Sequence, residues 1–496
     1  MKKRDCDASG NATEQRTVKV YKLLALLICT LHFLGFSAAS QSAQTDQVPS
    51  LSAGAAEKEI SPPVGIEIHA ARPNVGVRDP LFIRAFVLQD ASGTSVGIIT
   101  ADIICSGFAA MDELRTRVKE KTGVDEVWFN CSHAHSSRWL RATPVPGETW
   151  TDEMAWDEFY EHPLHENPQE AAWNRQVHQA AVDVVAEAEK KLQPVTLHAG
   201  RAPVQIGFNR RLTDASGWTT MGVNREGPAV PWVNVLTARD QKTNNPIAVL
   251  FEHPAHPVTV PPGNKLVSAD FPGAAVKQIR EQLGKEVIAM YGQGCCGNIN
   301  SFPLRTSFAD ADAAGQKLGD AVLEAIEKST PIDAKKIKLR SRHLELPTRP
   351  LPSPEFVATL KEKNKDDPAR LKQLRKISTA QESETPPPPR RFDLYGVFLG
   401  KDWCLIGMNY ETFSQYELWI DQHAPFKHNM VFALTNGGRA YIGTDEALAK
   451  GANGGYEAAC LPNWGGHETM SPHLGPPAVG SEQEIHKGLE SLWENL

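Results

Sequence analysis

The stretch IAVLFEHPAHPVTVPPGNKLVSADFPGAAVKQIREQLGKEVIAMYGQGCCGNIN, residues 247–300, decides the fold class. Ile247–Phe251 and Val287–Tyr291 are short apolar runs that read as strands. Between them Asp270 opens an amphipathic run to Leu283, with Pro272 tolerated in its first turn and Asp270 as the expected cap. Strand, helix and strand in that order favour a mixed or parallel sheet covered by helices. The same rhythm extends in both directions. Leu81–Leu88, Val96–Asp102 and Glu126–Asn130 read as strands, Met111–Lys121 and Glu170–Leu192 as helices, and Trp403–Met408 and Met430–Leu434 as later strands. No internal repeat is visible. The expected fold is α/β, a mixed sheet covered by helices in one large hydrolase-like domain.

The chain has 496 residues, 41% hydrophobic and 22% charged, which is ordinary globular usage. With 52 basic and 59 acidic side chains its net charge is −7, which excludes nucleic acid as a default partner. Length alone suggests roughly three domains or one large unit. Lys2, Lys3, Arg4, Arg16, Lys19 and Lys22 precede the 14-residue, mostly apolar run Leu23–Phe36, and Ser37-Ala38-Ala39 follows it. A helix of that run would reach about 21 Å against a bilayer core of about 30 Å, so the order reads as an export leader over residues 1–40. An uncleaved amphipathic anchor is the alternative. Export to a periplasmic, secreted or envelope-associated location is expected. Removing residues 1–40 leaves a net charge of −10.

Residues 41–59 are read as a polar linker, with the fold starting near Ser61-Pro62-Pro63 and running from 60 to 496. Residues 352–392, with a basic stretch and the Pro386–Pro389 run, are read as an exposed helical and polyproline excursion. Cys105, Cys131, Cys295, Cys296, Cys404 and Cys460 lack Cys-x-x-Cys spacing, so a thiolate zinc site is not expected. They read mostly as buried small hydrophobes, with disulfides left open.

Five polar clusters stand just beyond strand ends: Ser132–His135, His253–His256, Gly294–Asn298, Asn409–Glu411 and Asn436–Tyr441. In open α/β sheets that edge is where ligands bind. Each cluster alone has a plain reading: solvated or capping histidines, a surface glutamate, a packed tyrosine. Together two imidazoles, a carboxylate and a phenol match the donors zinc prefers.

Their order resembles the neutral/alkaline ceramidase family. The resemblance runs from Ile60-Ser61-Pro62-Pro63-Val64-Gly65 through Arg78-Asp79-Pro80-Leu81, Thr100-Ala101-Asp102 and Ser132-His133-Ala134-His135-Ser136. It continues through Asn209-Arg210-Arg211, His256-Pro257, Ser268-Ala269-Asp270-Phe271-Pro272-Gly273 and Asn409-Tyr410-Glu411. Tyr441-Ile442-Gly443-Thr444 and Gly455-Tyr456-Glu457-Ala458 close it. It implies zinc held by His133, His256, Glu411 and Tyr441, with His135, Arg210, Asn300 and Tyr456 around the reaction centre. The implied activity is hydrolysis of an N-acyl amide bond, ceramide giving sphingoid base and fatty acid.

Three departures qualify the resemblance. Gly297-Asn298-Ile299-Asn300-Ser301-Phe302 stands where the family has Gly-Asp-Val-Ser-Pro-Asn, so Asn300 replaces the proposed nucleophilic serine. Either Ser301 substitutes after a register shift or a zinc-activated water attacks; the water is the favoured reading. The chain continues only about 40 residues past Tyr456, too few for the family's C-terminal β-sandwich of about 100 residues. Trp139, Trp150, Trp156 and Trp173 lie beside the His-x-His stretch, either as a rim over the site or as ordinary packing. The expected partner is a small-molecule or lipid N-acyl substrate with transient membrane contact, and no protein partner is inferred. A hydrolase of a smaller non-lipid amide or ester, a non-catalytic exported binding protein and a metal-free structural envelope protein are the rival readings.

Overall fold

The structure is a computed structural model that describes residues 51–68, 72–142, 168–382, 389–458 and 477–496. The leader, Trp150, Trp156, Cys460 and most of the polyproline run lie outside these residues. The described chain forms four layers. Two are sheets stacked face to face, and each outer face is covered by helices.

The larger sheet runs in the order Ile288–Gln293, Pro246–His253, Trp232–Asp240, Gln193–Pro203, Ser52–Glu59, Phe82–Gln89, Ser95–Ala101, Glu126–Cys131, with Thr330–Pro331 added beside Gln193–Pro203. It is mixed: 246–253 with 288–293 and 95–101 with 126–131 are parallel, and the rest are antiparallel. Its halves share only two residue pairs, Ser52 with Pro194 and Ala53 with Gln193. The outermost strands nevertheless meet, because the Gln293 backbone N–H donates to Asn130 Oδ1 at 2.9 Å. The smaller sheet orders Ile337–Leu346, Arg390–Leu399, Trp403–Met408 and His428–Phe432, the last pair parallel.

Packing follows from residue alternation along each strand. Phe86, Leu88, Ile98, Trp128, Leu197, Leu236 and Leu250 of the large sheet interleave with Val397, Trp403, Leu405 and Phe432 of the small one. The opposite faces of the large sheet's two halves are covered by α1 (Phe108–Thr122) with α2 (Pro168–Lys190), and by α3 (Asp270–Leu283) with α4 (Phe308–Glu327). The Ser414–His423 and Ser481–Trp493 helices cover the small sheet. Full burial of each large apolar side chain contributes about 1.5–3 kcal/mol, so this double core is the main source of stability. Two further helices, Pro354–Lys363 and Pro368–Glu382, share a small cluster of Val357, Leu360, Leu374 and Ile377. Among the described residues no helix is long and apolar enough to cross a membrane.

The expected strands and helices are present, within a few residues at their ends. Two readings need correction. The expected 41–59 linker ends in a strand, since residues 52–59 lie inside the large sheet and pair with Phe82–Gln89 along their whole length. The run Ala53-Gly54-Ala55-Ala56 carries little side-chain signal because α2 lies directly on it. A Cβ at Gly54 would fall 2.0 Å from the Ala188 carbonyl oxygen. Asp270 is not the cap of α3 but its first residue, at φ 53°, and its carboxylate accepts from the Val260 and Phe271 N–H groups instead. The tryptophans at the ends of the expected rim divide: Trp173 is buried and donates to the Ile60 carbonyl, while Trp139 packs under the Arg439 guanidinium, 3.7 Å from its ring centroid.

Candidate metal centre

Each strand of a parallel pair from Ile288, Pro246, Glu126, Trp403 or His428 delivers its following loop to one place. His133 follows Glu126–Cys131, His256 follows Pro246–His253, Cys296 follows Ile288–Gln293 and Glu411 follows Trp403–Met408. Buried side-chain amides tie these ends together. Asn130 donates to the Ala433 carbonyl, Asn409 donates to the Thr435 carbonyl, and Asn436 Oδ1 accepts from the Phe129 N–H. His133, Tyr410 and Asn436 all sit at positive φ, between 57° and 65°, a conformation non-glycine residues hold only where the surroundings fix it.

The donor atoms converge tightly. His133 Nε2 lies 3.1 Å from His256 Nε2, and Glu411 Oε2 lies 3.0 Å from His256 Nε2 and 3.5 Å from His133 Nε2. Both imidazoles are pinned from behind. His133 Nδ1 faces the Ile104 carbonyl at 2.5 Å, and His256 Nδ1 faces the Cys296 and Ile299 carbonyls at 2.7 and 3.0 Å. A carbonyl only accepts, so each Nδ1 carries a proton, and in its neutral form each ring would turn a bare Nε2 lone pair inward. Three acceptors then face one another with no donor between them. Burial pushes His256 down to about 4, with the Arg210 charge acting in the same direction, so a proton is a poor remedy at neutral pH. Burial alone would raise the Glu411 carboxyl, and only positive charge at the His133 and His256 positions outweighs burial and holds it well below its ordinary range, a charge that a bound cation would supply to neutral rings.

A cation fits. The Cys296 thiol joins the two imidazoles and the carboxylate, and all four donor atoms lie within 4.8 Å of one another, a span on the order of two metal–ligand bonds of ~2.0–2.3 Å. Two imidazoles, a carboxylate and a thiol suit zinc, and carbonyls behind both rings are the usual outer support of histidine ligands. The buried Cys296 thiol agrees with the reading of most cysteines as small buried hydrophobes, and its place beside the imidazoles adds a candidate donor that the sequence alone did not name. Sequence spacing could not show it, because its partners arrive from other strands. Among the described cysteines all five are free and buried.

The remaining expected residues sit around this cluster. The His135 ring centroid is 4.9 Å from that of His133 and 5.9 Å from that of His256. Tyr441 pairs in register with Glu411 through the short parallel strands Glu411–Thr412 and Tyr441–Ile442. Burial, then the Glu411 charge, pushes its phenol well above the ordinary range. Arg210 is buried and fully engaged: Nε donates to Glu457 Oε1 at 2.7 Å, one terminal nitrogen to Asn300 Oδ1 at 2.9 Å and the other to the Gly297 carbonyl at 2.7 Å. Its guanidinium carbon lies 5.3 Å from the Tyr441 ring centroid and 5.7 Å from that of Tyr456. Gly297 has to be glycine, since a Cβ there would fall 2.4 Å from the Glu411 carbonyl oxygen. His253, the other histidine of its cluster, stays outside, with Nδ1 on the Trp232 carbonyl at 2.9 Å.

Asn300 and Ser301 separate cleanly. They are neighbours on the strand Ile299–Ser301, so their side chains leave on opposite faces. Ser301 Oγ accepts from the Thr259 hydroxyl at 3.0 Å. The register shift that would make it a nucleophile is not what the chain adopts. Asn300 Oδ1 is taken by Arg210, which orients the amide so that its NH2 is the group left to donate.

No family model matches the sequence, and no curated protein matches it. Among solved structures the chain is similar to neutral ceramidase from Pseudomonas aeruginosa, with a TM-score of 0.62 and 16% identity over 89% of this chain and 74% of that one. It is also similar to a ceramidase complexed with C2, with a TM-score of 0.63 and 16% identity over 90% and 76% of the two chains. The chain has the ceramidase fold. His133, His256 and Glu411 come together in this fold, which is not the separation that the metal-free envelope reading required.

Proposed function

We propose that this protein is a zinc-dependent amidohydrolase that cleaves an N-acyl amide, with ceramide as its substrate. The observation that carries the reading is the convergence of His133 Nε2, His256 Nε2 and Glu411 Oε2 to within 3.5 Å of one another, with both Nδ1 atoms turned to backbone carbonyls. Likeness in fold to ceramidases supports the substrate class. Zinc, when bound, would polarise an amide carbonyl and bring the pKa of water towards neutrality. Tyr441 is proposed as a further ligand beside Glu411.

The chain's own residues do the rest. The Asn300 NH2, oriented by Arg210, donates to the oxygen that gains charge as the amide carbonyl becomes tetrahedral. Arg210 contributes a buried positive charge behind it. His135, packed edge-on against His133, is the group placed to move a proton to the departing amine, with the Tyr456 hydroxyl beside Tyr441 as a second donor. Ser301 is not assigned as a nucleophile, since its hydroxyl packs against Thr259 on the strand face opposite Asn300. Export is part of the proposal and rests on the basic, apolar and small-residue order of residues 1–40.

The test is to incubate purified protein, zinc-loaded and chelated, with labelled ceramide and with a short N-acyl amide. Zinc-dependent release from ceramide is the expected result. Release from only the short amide would replace the substrate and keep the chemistry. Retained zinc with no release from a panel of N-acyl amides and esters would favour a binding protein, the reading to which the asparagine at position 300 lends itself.

A further inference from the structure

The strands Gly207–Thr213 and Thr219–Asn224 form a hairpin, and Ile299–Ser301 pairs with the start of its first strand. That third strand meets only Gly207, Phe208 and Asn209, so beyond Arg210 the hairpin is a two-stranded ribbon. Nine large apolar side chains are exposed among the described residues, and five of them gather here: Leu212, Met221 and Val223 on the hairpin, Phe302 just past the third strand and Tyr456 beside it, each between 39% and 46% exposed. Trp218, half-buried, sits in the turn, where its N–H donates to Asp214 Oδ1 at 3.1 Å. Apolar residues exposed singly are ordinary, whereas a gathering marks a contact surface.

Register and charge indicate what that surface meets. Leu212 stands opposite Thr220 and Met221 opposite Arg211, so Leu212 and Met221 leave on opposite faces of the ribbon. A second protein would cover one face; a fluid apolar phase covers both. Around the ribbon Arg225 and Lys450 stand with Asp214, Glu226 and Glu446, the last 3.7 Å from Lys450 Nζ, and the Arg225 guanidinium carbon lies 4.3 Å from the Phe208 ring centroid. The rim thus has no excess of positive charge, and the chain as a whole carries −7. Anionic lipid would repel it, while zwitterionic lipid would not.

The surface is continuous with the metal cluster. Asn300 pairs with Phe208 on one side and bridges His256 on the other, and the His256 N–H donates to the Ile299 carbonyl at 3.1 Å. Phe302, two residues on, packs edge-on against Phe208 with ring centroids 5.4 Å apart. We propose that this ribbon is the surface by which the protein docks on a zwitterionic lipid bilayer, with Leu212, Trp218 and Met221 entering the boundary between head groups and acyl chains. The inference rests on the ceramide-hydrolase reading, because a bilayer-resident amide has to reach Asn300 from the membrane.

Docking and turnover are read separately. The zinc-loaded full chain is mixed with phosphatidylcholine vesicles containing ceramide, with and without acyl-chain-brominated phosphatidylcholine, which quenches tryptophans at acyl-chain depth. Residues 1–40 contain no tryptophan, so quenching reports the folded part even where the leader itself binds lipid. The expected result is quenching in wild type that Trp218→Phe removes. A Leu212→Glu, Met221→Glu double variant cuts it to about a tenth, with an unchanged melting temperature because both side chains are exposed, and Leu212→Ile, Met221→Leu keeps it. The charged variant also releases less product from vesicle ceramide while cleaving a water-soluble short N-acyl amide as wild type does. Absence of quenching in wild type overturns the surface. So does quenching that survives in Trp218→Phe or in the charged variant, since another part of the chain then meets the lipid. A wild-type dimer that the charged variant turns into a monomer, with quenching unchanged, gives the ribbon to a second copy instead. Quenching without hydrolysis of either amide keeps the surface and removes the amidohydrolase reading; hydrolysis of vesicle ceramide at equal rates by wild type and charged variant does the reverse.

Discussion

The His133–His256–Glu411 cluster and the Glu252–Glu417 pair are both buried gatherings of acceptors at strand ends, and they reach neutrality by different routes. Glu252 Oε2 accepts from Asn234 and Glu417 Oε2 from the Cys295 N–H, with Gly294 so close that a Cβ there would fall 2.2 Å from Glu252 Oε1. Burial pushes Glu252 up to about 7, and burial with the Glu252 charge pushes Glu417 well above its ordinary range. A shared proton resolves that pair, because protonating a carboxylate removes its charge. Protonating a pinned imidazole creates a charge in the same buried setting, so the histidine cluster calls for a metal ion. The type of acceptor, more than burial itself, decides which cation a site takes.

Removing the imidazoles breaks the contrast most strongly. A His133→Ala, His256→Ala double variant should drop from about one equivalent of bound zinc to below a tenth, read by elemental analysis, with amide hydrolysis lost. Retention of a full equivalent would place the metal elsewhere. The carboxyl pair should report instead through pH. Its folded form holds an extra proton between the ordinary glutamate range and about 7, so stability is fullest below that window and falls as pH rises through it. Denaturant unfolding of the zinc-saturated protein should lose about 3 kcal/mol between pH 5 and 8, and Glu252→Gln should remove more than half of that slope.

Smaller effects sharpen the ligand set. Cys296→Ser and Tyr441→Phe, compared by competition with a zinc chelator, should differ: the variant that removes a true ligand weakens zinc about tenfold or more, and the other changes it little. Ser301→Ala should alter kcat by less than about twofold, since its hydroxyl is tied to Thr259 on the far face of the strand. A loss of a hundredfold would restore a serine mechanism.

Much of this was legible in the sequence, for a local reason. Strands such as Ile247–Phe251 and Trp403–Met408 are short apolar runs with turn residues at both ends, and a polar residue just past such a run has one plausible destination in an α/β fold. His133, His256 and Glu411 could therefore be placed at strand ends, although each alone has a plain reading and the ligand set came from the family resemblance. Cys296 could not, because a buried cysteine looks the same whether it packs or binds metal until His256, Glu411 and His133, 40, 115 and 163 positions away, are brought beside it. Ser52–Glu59 was hidden for the opposite reason: its neighbours need so little side chain there that its composition imitates a linker. The engagement of Asn300 by Arg210, ninety residues apart, has no local signature either.

The position of Ser52–Glu59 also limits how this chain can be processed. The strand is the seam through which the two halves of the large sheet are paired. Under the export proposal, a cut between Ala39 and Leu51 would leave this seam in place, whereas a cut beside Ser61-Pro62-Pro63, where the family resemblance begins, would remove it.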